Sequence, residues 1–142
     1  MNRALVCLCL ALAAGLAPVQ AWAAGGLRVA ANFALTGPAA GQNADSLMGI
    51  RLATEELNAR GGVLGHPLEL LVIDNKSTPI GSKVAAEEAA RLGVTAILGA
   101  NWSSHSLAVA RVAQDHAIPM ITPISTNPAV TKIGDYIFRV CF

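Results

Sequence analysis

Aromatic residues are scarce in this chain, at 4%, and charged residues make up 13% of it. Lys and Arg together number 10 against 9 for Asp and Glu, with no basic stripe and no basic cluster interleaved with aromatics. That excludes a nucleic-acid partner. Cysteine is nearly missing: of Cys7, Cys9 and Cys141, the first two fall in an N-terminal apolar run. One remaining cysteine allows no internal disulfide, and no CxxC or Cys/His set could hold a metal. Cys141 lies in the apolar stretch Tyr136–Phe142 and reads as a buried free thiol. No histidine pair has metal-ligand spacing, and no cofactor is implied.

Nucleotide and catalytic motifs are missing too. Gly61-Gly62-Val63-Leu64-Gly65 is glycine-rich, but it follows a helix and lacks the Lys-Ser/Thr ending of a phosphate loop. No G-x-S-x-G elbow is present. Ser103, Ser104 and His105 are neighbours, and adjacent residues at a helix start are not expected to aim hydroxyl and imidazole at each other. Asp74 ends an apolar run and reads as an Asx-type acceptor that stabilises its own turn. The chain is therefore read as non-enzymatic.

What is there begins with a leader. Arg3 precedes the apolar run Ala4–Ala17, and Ala21-Trp22-Ala23 has the small-x-small pattern of a cleavage site. A signal peptide over residues 1–23 is expected, and with it export to the periplasm. Past Ala23 the loss of Arg3 leaves equal numbers of basic and acidic residues. Residues 24–142 suit one small domain.

Gly and Pro punctuate this part into alternating elements. Leu27–Phe33 reads as a strand, and Thr36–Gly41 as a loop. Asp45 is placed to cap a helix running to about Arg60, with Leu47, Ile50, Thr54 and Leu57 on one face. Gly61-Gly62 stops that helix. Leu68–Asp74, nearly all apolar, reads as a strand covered on both faces. Thr78 with Pro79 opens a second helix, which Gly93 ends. Val94–Leu98 is a third strand, Ser103 or Ser104 caps a third helix, and Ile118–Thr122 and Tyr136–Val140 are further strands. The order β-α-β-α-β-α-β-β implies an α/β fold: a mostly parallel sheet with helices on both faces, a three-layer sandwich. Ligands of such sheets bind beyond the carboxyl ends of the strands.

Two stretches stand at such ends. Ile97–Ser106 and Met120–Pro128 each run from an apolar strand into a loop of small hydroxyl residues. The first leads into a helix, whose free N–H groups suit an anion such as a carboxylate. Trp102 stands at the mouth of this crevice, where it either walls a ligand pocket or packs beneath the loop.

The same residues carry a family likeness. Leu35-Thr36-Gly37-Pro38, Gly49–Ala53, Glu56–Val63, Leu70–Asp74, Ile97-Leu98-Gly99, Ser103-Ser104, Ile118–Pro123 and Tyr136–Arg139 occur in order with compatible spacing. Together they resemble the first lobe of the periplasmic leucine/isoleucine/valine-binding protein family, the type I substrate-binding proteins of ABC transporters. The resemblance implies a two-lobed clamshell of which this chain is the N-terminal lobe, with the second lobe missing. It implies that Ser103, with Ser104 beside it, binds a ligand α-carboxylate. Thr126, next to Ser125, would contact the ligand through hydroxyl and N–H, and the Ile124 carbonyl would accept from an ammonium. Gln42 occupies a place where branched-chain binders often carry an aromatic, a departure that favours a more polar ligand. Ser77 and Trp102 take the places of a disulfide found in some members. The implied function is capture of an amino acid, of branched-chain type or a more polar relative, for an ABC permease in the membrane. A ligand-sensing domain of a receptor with the same fold is the alternative, and an exported α/β hydrolase is a third reading.

Overall fold

The computed structural model describes residues 26–141; the expected leader and its cleavage point lie outside them. Eight elements follow one another: β1 (Leu27–Phe33), α1 (Ala40–Ala59), β2 (Leu68–Asp74), α2 (Pro79–Arg91), β3 (Ala96–Gly99), α3 (Ser103–Asp115), β4 (Met120–Thr122) and β5 (Ile137–Arg139). The strands form one sheet in the order β2-β1-β3-β4-β5, and every pairing is parallel. β1 lies between β2 and β3, with Asn32 in register with Ile73 on one side and Gly99 on the other. The chain thus moves outward from β1 to β2 and then returns to the far side of β1. That reversal opens a crevice beyond the carboxyl ends of β1 and β3.

Alternation along each strand sorts side chains to two faces. Ala30, Ile97, Met120 and Ile137 join Ala86, Ala89, Val109 and Ala113 of α2 and α3 in the main core. Alanine at these helix positions lets α2 and α3 approach the sheet and each other closely. The opposite face is covered by α1, whose Ile50, Thr54 and Leu57 face Val29, Leu70 and Leu98 across an almost wholly apolar cavity of about 230 Å³. This cavity has no cluster of polar groups with which to orient a solute. β2 is one of the two edge strands, β5 being the other. Its apolar run is explained by α1 and α2 lying over its two faces, not by neighbours on both sides.

Several boundaries differ from the sequence expectation. α1 starts at Ala40, so Asp45 is an exposed residue inside the helix and caps nothing. Asn43 supplies the polar ties at this end instead: its Nδ2 donates to the Ala39 carbonyl at 2.8 Å and its Oδ1 accepts from Ala34 N–H at 3.2 Å. The stop at Gly61-Gly62 holds. Gly61, at φ +97°, lets Gly62 N–H reach the Leu57 carbonyl at 2.9 Å, a Schellman closure. Thr78 caps α2 as expected, accepting from Gly81 N–H at 2.8 Å. α3 begins at Ser103 with Trp102 as the residue before it and no side-chain cap, so neither Ser103 nor Ser104 is the cap. β3 and β4 start two residues later than expected, at Ala96 and Met120. Cys141 is half-buried and free, not fully buried; its Sγ accepts from Arg139 Nη1 at 3.3 Å.

Candidate functional site

Three loops meet at the carboxyl edge of the sheet: residues 34–39 after β1, 100–102 after β3 and 123–127 after β4. Asn101, Trp102, Ser103, Ile124, Ser125 and Thr126 line an open cleft there of about 310 Å³. One wall is the start of α3. Its first intrahelical acceptor is the Trp102 carbonyl, which takes Ser106 N–H at 2.9 Å. The N–H groups of Ser103, Ser104 and His105 precede that bond and have no intrahelical partner, so the positive end of the helix borders the cleft. Ser103 does not cap its own helix because its hydroxyl reaches across instead: Oγ accepts from Asn127 N–H at 3.2 Å and joins the two loops.

Beneath the cleft lies a buried cluster of hydroxyls. Ser106, Thr122 and Ser125 are no more than 1% exposed. Thr122 Oγ1 donates to the Ala100 carbonyl at 2.6 Å, Ser125 Oγ donates to the Asn101 carbonyl at 2.9 Å, and Ser106 Oγ lies 2.7 Å from Ser125 Oγ and 2.8 Å from the Ala100 carbonyl. Three protons thereby satisfy two loop carbonyls and tie α3, β4 and both loops into one unit. Arg139, from β5, completes the support: Nη1 donates to the carbonyls of Ser125 at 3.2 Å and Thr126 at 2.7 Å. With its carbonyl held from behind, the Thr126 peptide is fixed at the cleft.

The expected site residues separate into two sets on this geometry. Trp102, Ile124 and Thr126 are exposed, Ser103 is half-buried, and all four line the cleft; Ser104 is exposed at the same helix start. Ser125 sits below the surface with its hydroxyl engaged. Gln42, on α1, reaches the rim because Trp102 Nε1 donates to its Oε1 at 3.1 Å. Trp102 therefore walls the cleft while its ring also meets His105 edge-on, centroids 5.3 Å apart.

Ser104 Oγ lies 3.3 Å from His105 Nδ1, closer than adjacent residues were expected to approach. His105 Nε2, however, is buried without a hydrogen-bond partner. Among the described residues no third group hydrogen-bonds the ring to orient it, as a serine nucleophile's base requires. Among the described residues no cluster of three or more His, Cys, Asp or Glu side chains could hold a metal ion. No described helix is long and apolar enough to cross a membrane.

Asp74 and Ser77 hold the loop after β1. Asp74 Oδ1 accepts from Lys76 N–H at 2.8 Å, the expected Asx turn, and from Leu35 N–H at 2.9 Å, while Oδ2 accepts from the Thr36 hydroxyl at 2.6 Å. Ser77 Oγ donates to the Thr36 carbonyl at 2.6 Å and accepts from Ala39 N–H at 3.0 Å. Burial alone would raise the Asp74 carboxyl. The Thr36 hydroxyl and the backbone N–H groups of Leu35, Lys76 and Thr36 outweigh it and hold the group below its ordinary value. A lowered carboxyl contributes stability that is complete above the unfolded-chain value and is lost as pH falls through the folded one. Asp74→Ala is expected to cost about 2 kcal/mol at neutral pH and to flatten the acid limb of the stability profile. Urea titrations from pH 7 down to about 3 would check this; an unchanged acid limb would remove Asp74 as the source.

Asn101, Ser106, Thr122 and Arg139 were not identified from sequence. Asn101, Ser106 and Thr122 nonetheless lie within the two stretches Ile97–Ser106 and Met120–Pro128 that the sequence singles out.

A family model for periplasmic binding proteins matches residues 26–142. The Leu/Ile/Val-binding protein of Escherichia coli K12 is 29% identical over 108 residues, 76% of this chain and 29% of that protein. The leucine-, isoleucine-, valine-, threonine- and alanine-binding protein of Pseudomonas aeruginosa is 31% identical, over 82% of this chain and 32% of its own. Among solved structures, the branched-chain amino acid transporter substrate binding protein LivJ of Streptococcus pneumoniae, in complex with isoleucine, superposes with a TM-score of 0.80 at 28% identity. It covers 83% of this chain and 34% of that one. The leucine binding protein LivK of Thermotoga maritima does so with a TM-score of 0.77 at 37% identity, covering 82% and 33%. The chain thus spans about a third of the length of these relatives.

Proposed function

Because the chain belongs to the periplasmic binding protein family, we propose that it forms the first lobe of an exported protein that captures an amino acid for an ABC permease. The observation that carries this reading is the free start of α3 facing the 123–127 loop across an open cleft. Such a pair of walls presents donors to a carboxylate and carbonyls to an ammonium without any reacting group between them. In this reading Ser103, with the N–H groups of Ser103 and Ser104, takes the α-carboxylate. Thr126 N–H and hydroxyl take a second position on the ligand, and the carbonyl of Ile124, an exposed residue, accepts from the ammonium. Trp102 and Gln42 form the rim. Ser125 serves from beneath by fixing the Asn101 and Ile124–Thr126 backbone. Relatives with this fold are named for binding and transport, which agrees with a site that holds a solute unchanged.

Charge-assisted hydrogen bonds contribute roughly 1.5–3 kcal/mol each, before the cost of ordering the ligand. Closure by a second lobe would strengthen them by excluding water. Ser103→Ala is expected to weaken amino-acid binding by about tenfold. Titration of the ¹⁵N-labelled chain with L-amino acids, followed at the amides of residues 101–104 and 124–127, reads this directly. Conversion of an added amino acid, abolished by Ser103→Ala, would overturn the binding reading in favour of catalysis.

A further inference from the structure

We infer that Arg139, on β5 and outside the cleft lining, is a positioning residue that makes the cleft select a carboxylate over its uncharged amide, which rests on the amino-acid reading above. It holds two carbonyls of the 123–127 loop turned back, and through one peptide group it sets the Ser103 hydroxyl as a donor. Arg139 Nη1 donates to the Thr126 carbonyl at 2.7 Å and to the Ser125 carbonyl at 3.2 Å. Both peptides are trans, so each N–H points opposite to its C=O and away from Arg139. For the Thr126–Asn127 peptide the far end is defined: Asn127 N–H donates to Ser103 Oγ at 3.2 Å. A single peptide group thus joins the guanidinium to a residue that lines the cleft.

Two effects follow. Ser103 Oγ is occupied as an acceptor by Asn127, and its own proton has no acceptor among the described residues. The hydroxyl is therefore left to donate. The second effect is charge. Arg139 forms no ion pair among the described residues, and its Nε is buried without a partner. A guanidinium not neutralised by a carboxylate polarises the carbonyls it holds, and with them the N–H on the far side of each peptide, because hydrogen bonds in a chain strengthen one another. The start of α3 presents the same sign from the opposite wall. Turned toward the cleft, the Ser125 and Thr126 carbonyls would repel a carboxylate. Arg139 takes those two but not the carbonyl of Ile124, which stays available to an ammonium. A carboxylate gains more than a carboxamide from such donors, since its hydrogen bonds are charge-assisted.

The test titrates the ¹⁵N-labelled chain with L-leucine and L-threonine, each beside its α-carboxamide, at about pH 6, where amino groups are protonated and carboxylates ionised. The acid is expected to bind the parent at least about tenfold tighter than the amide. Arg139→Gln keeps an N–H donor and removes the charge; it should cut that ratio to about threefold or less. Arg139→Lys keeps the charge and should restore most of it. Without ligand, the Asn127 amide proton should move upfield in the glutamine variant and return in the lysine variant. In a Ser103→Ala background Arg139→Gln should lower the ratio less than in the parent, because the end of the relay is gone. Equal weakening of acid and amide by Arg139→Gln would make Arg139 a brace only. That result overturns the inference and leaves the amino-acid site standing, as does a ratio that Arg139→Gln does not move or a parent that binds amide as tightly as acid. Should the glutamine variant fail to fold, Arg139→Lys decides: a ratio that falls to near one with the charge kept overturns the inference. No shift at the cleft amides with either amino acid overturns the amino-acid reading itself, and this inference with it.

Discussion

The double variant Ser106→Ala with Thr122→Val is expected to lose about 4 kcal/mol of stability, well beyond the sum of its parts. The hydroxyls of Thr122 and Ser106 lie 2.6 and 2.8 Å from the same Ala100 carbonyl. Either can satisfy it when the other is removed. Thr122→Val is nearly isosteric and leaves Ser106 free to turn toward Ala100, so it should cost about 1 kcal/mol; Ser106→Ala leaves Thr122 in place and should cost about as much. Removing both strands a carbonyl in a fully buried position and takes two of the three protons from the cluster. Urea unfolding of the four proteins gives the coupling energy. Costs that add to within about 0.5 kcal/mol would show that the hydroxyls act separately. The cleft amides should broaden in the double variant, because the 100–102 and 123–127 loops then lose their common anchor.

Gly99→Ala is expected to cost at least about 3 kcal/mol, lowering the melting temperature by roughly 10 °C. Gly99 closes β3 at φ +106°, a conformation that side chains rarely adopt. A Cβ there would also run into the Asn32 carbonyl and the Phe33 ring. Neither neighbour can give way. Asn32 is fully buried, with Nδ2 donating to the Ser82 carbonyl at 2.8 Å and Oδ1 accepting from Asn75 Nδ2 at 3.2 Å, and Phe33 is fully buried as well. The close approach of β1 and β3 at this point is what brings the first two loops together at the crevice. Gly49→Ala is the control: it lies on the exposed side of α1 with nothing within 4 Å of an added Cβ, and should stabilise by roughly 1 kcal/mol. A Gly99→Ala protein as stable as the parent would mean that the strand ends can spread without consequence.

The elements themselves were legible because their signals are local. Apolar runs such as Leu68–Asp74, the Thr78-Pro79 start and the Gly61-Gly62 stop act through residues a few positions apart, and all three stand in the structure as read. The two misplaced helix caps have different causes. Asp45 was expected to cap α1, but the helix begins earlier, where Asn43 ties Ala34 and Ala39. Ser103 or Ser104 was expected to cap α3, but the helix begins at Ser103 itself, whose hydroxyl bonds Asn127, 24 positions along.

By itself, then, the sequence determined the alternation of strands and helices, the parallel α/β class and the two hydroxyl loops at strand ends. Each follows from periodicity, turn chemistry and composition within short windows. Only the tertiary structure decided which hydroxyls face the cleft and which lie beneath it. Ser103 and Thr126 border the opening while Ser106, Thr122 and Ser125 are buried, although all five are small hydroxyl residues in the same two stretches. It also decided that Trp102 meets Gln42 across 60 positions and that Asn101 meets Ser46 across 55. Those pairings depend on strand order, and strand order is set by how the whole set of apolar faces can be buried at once.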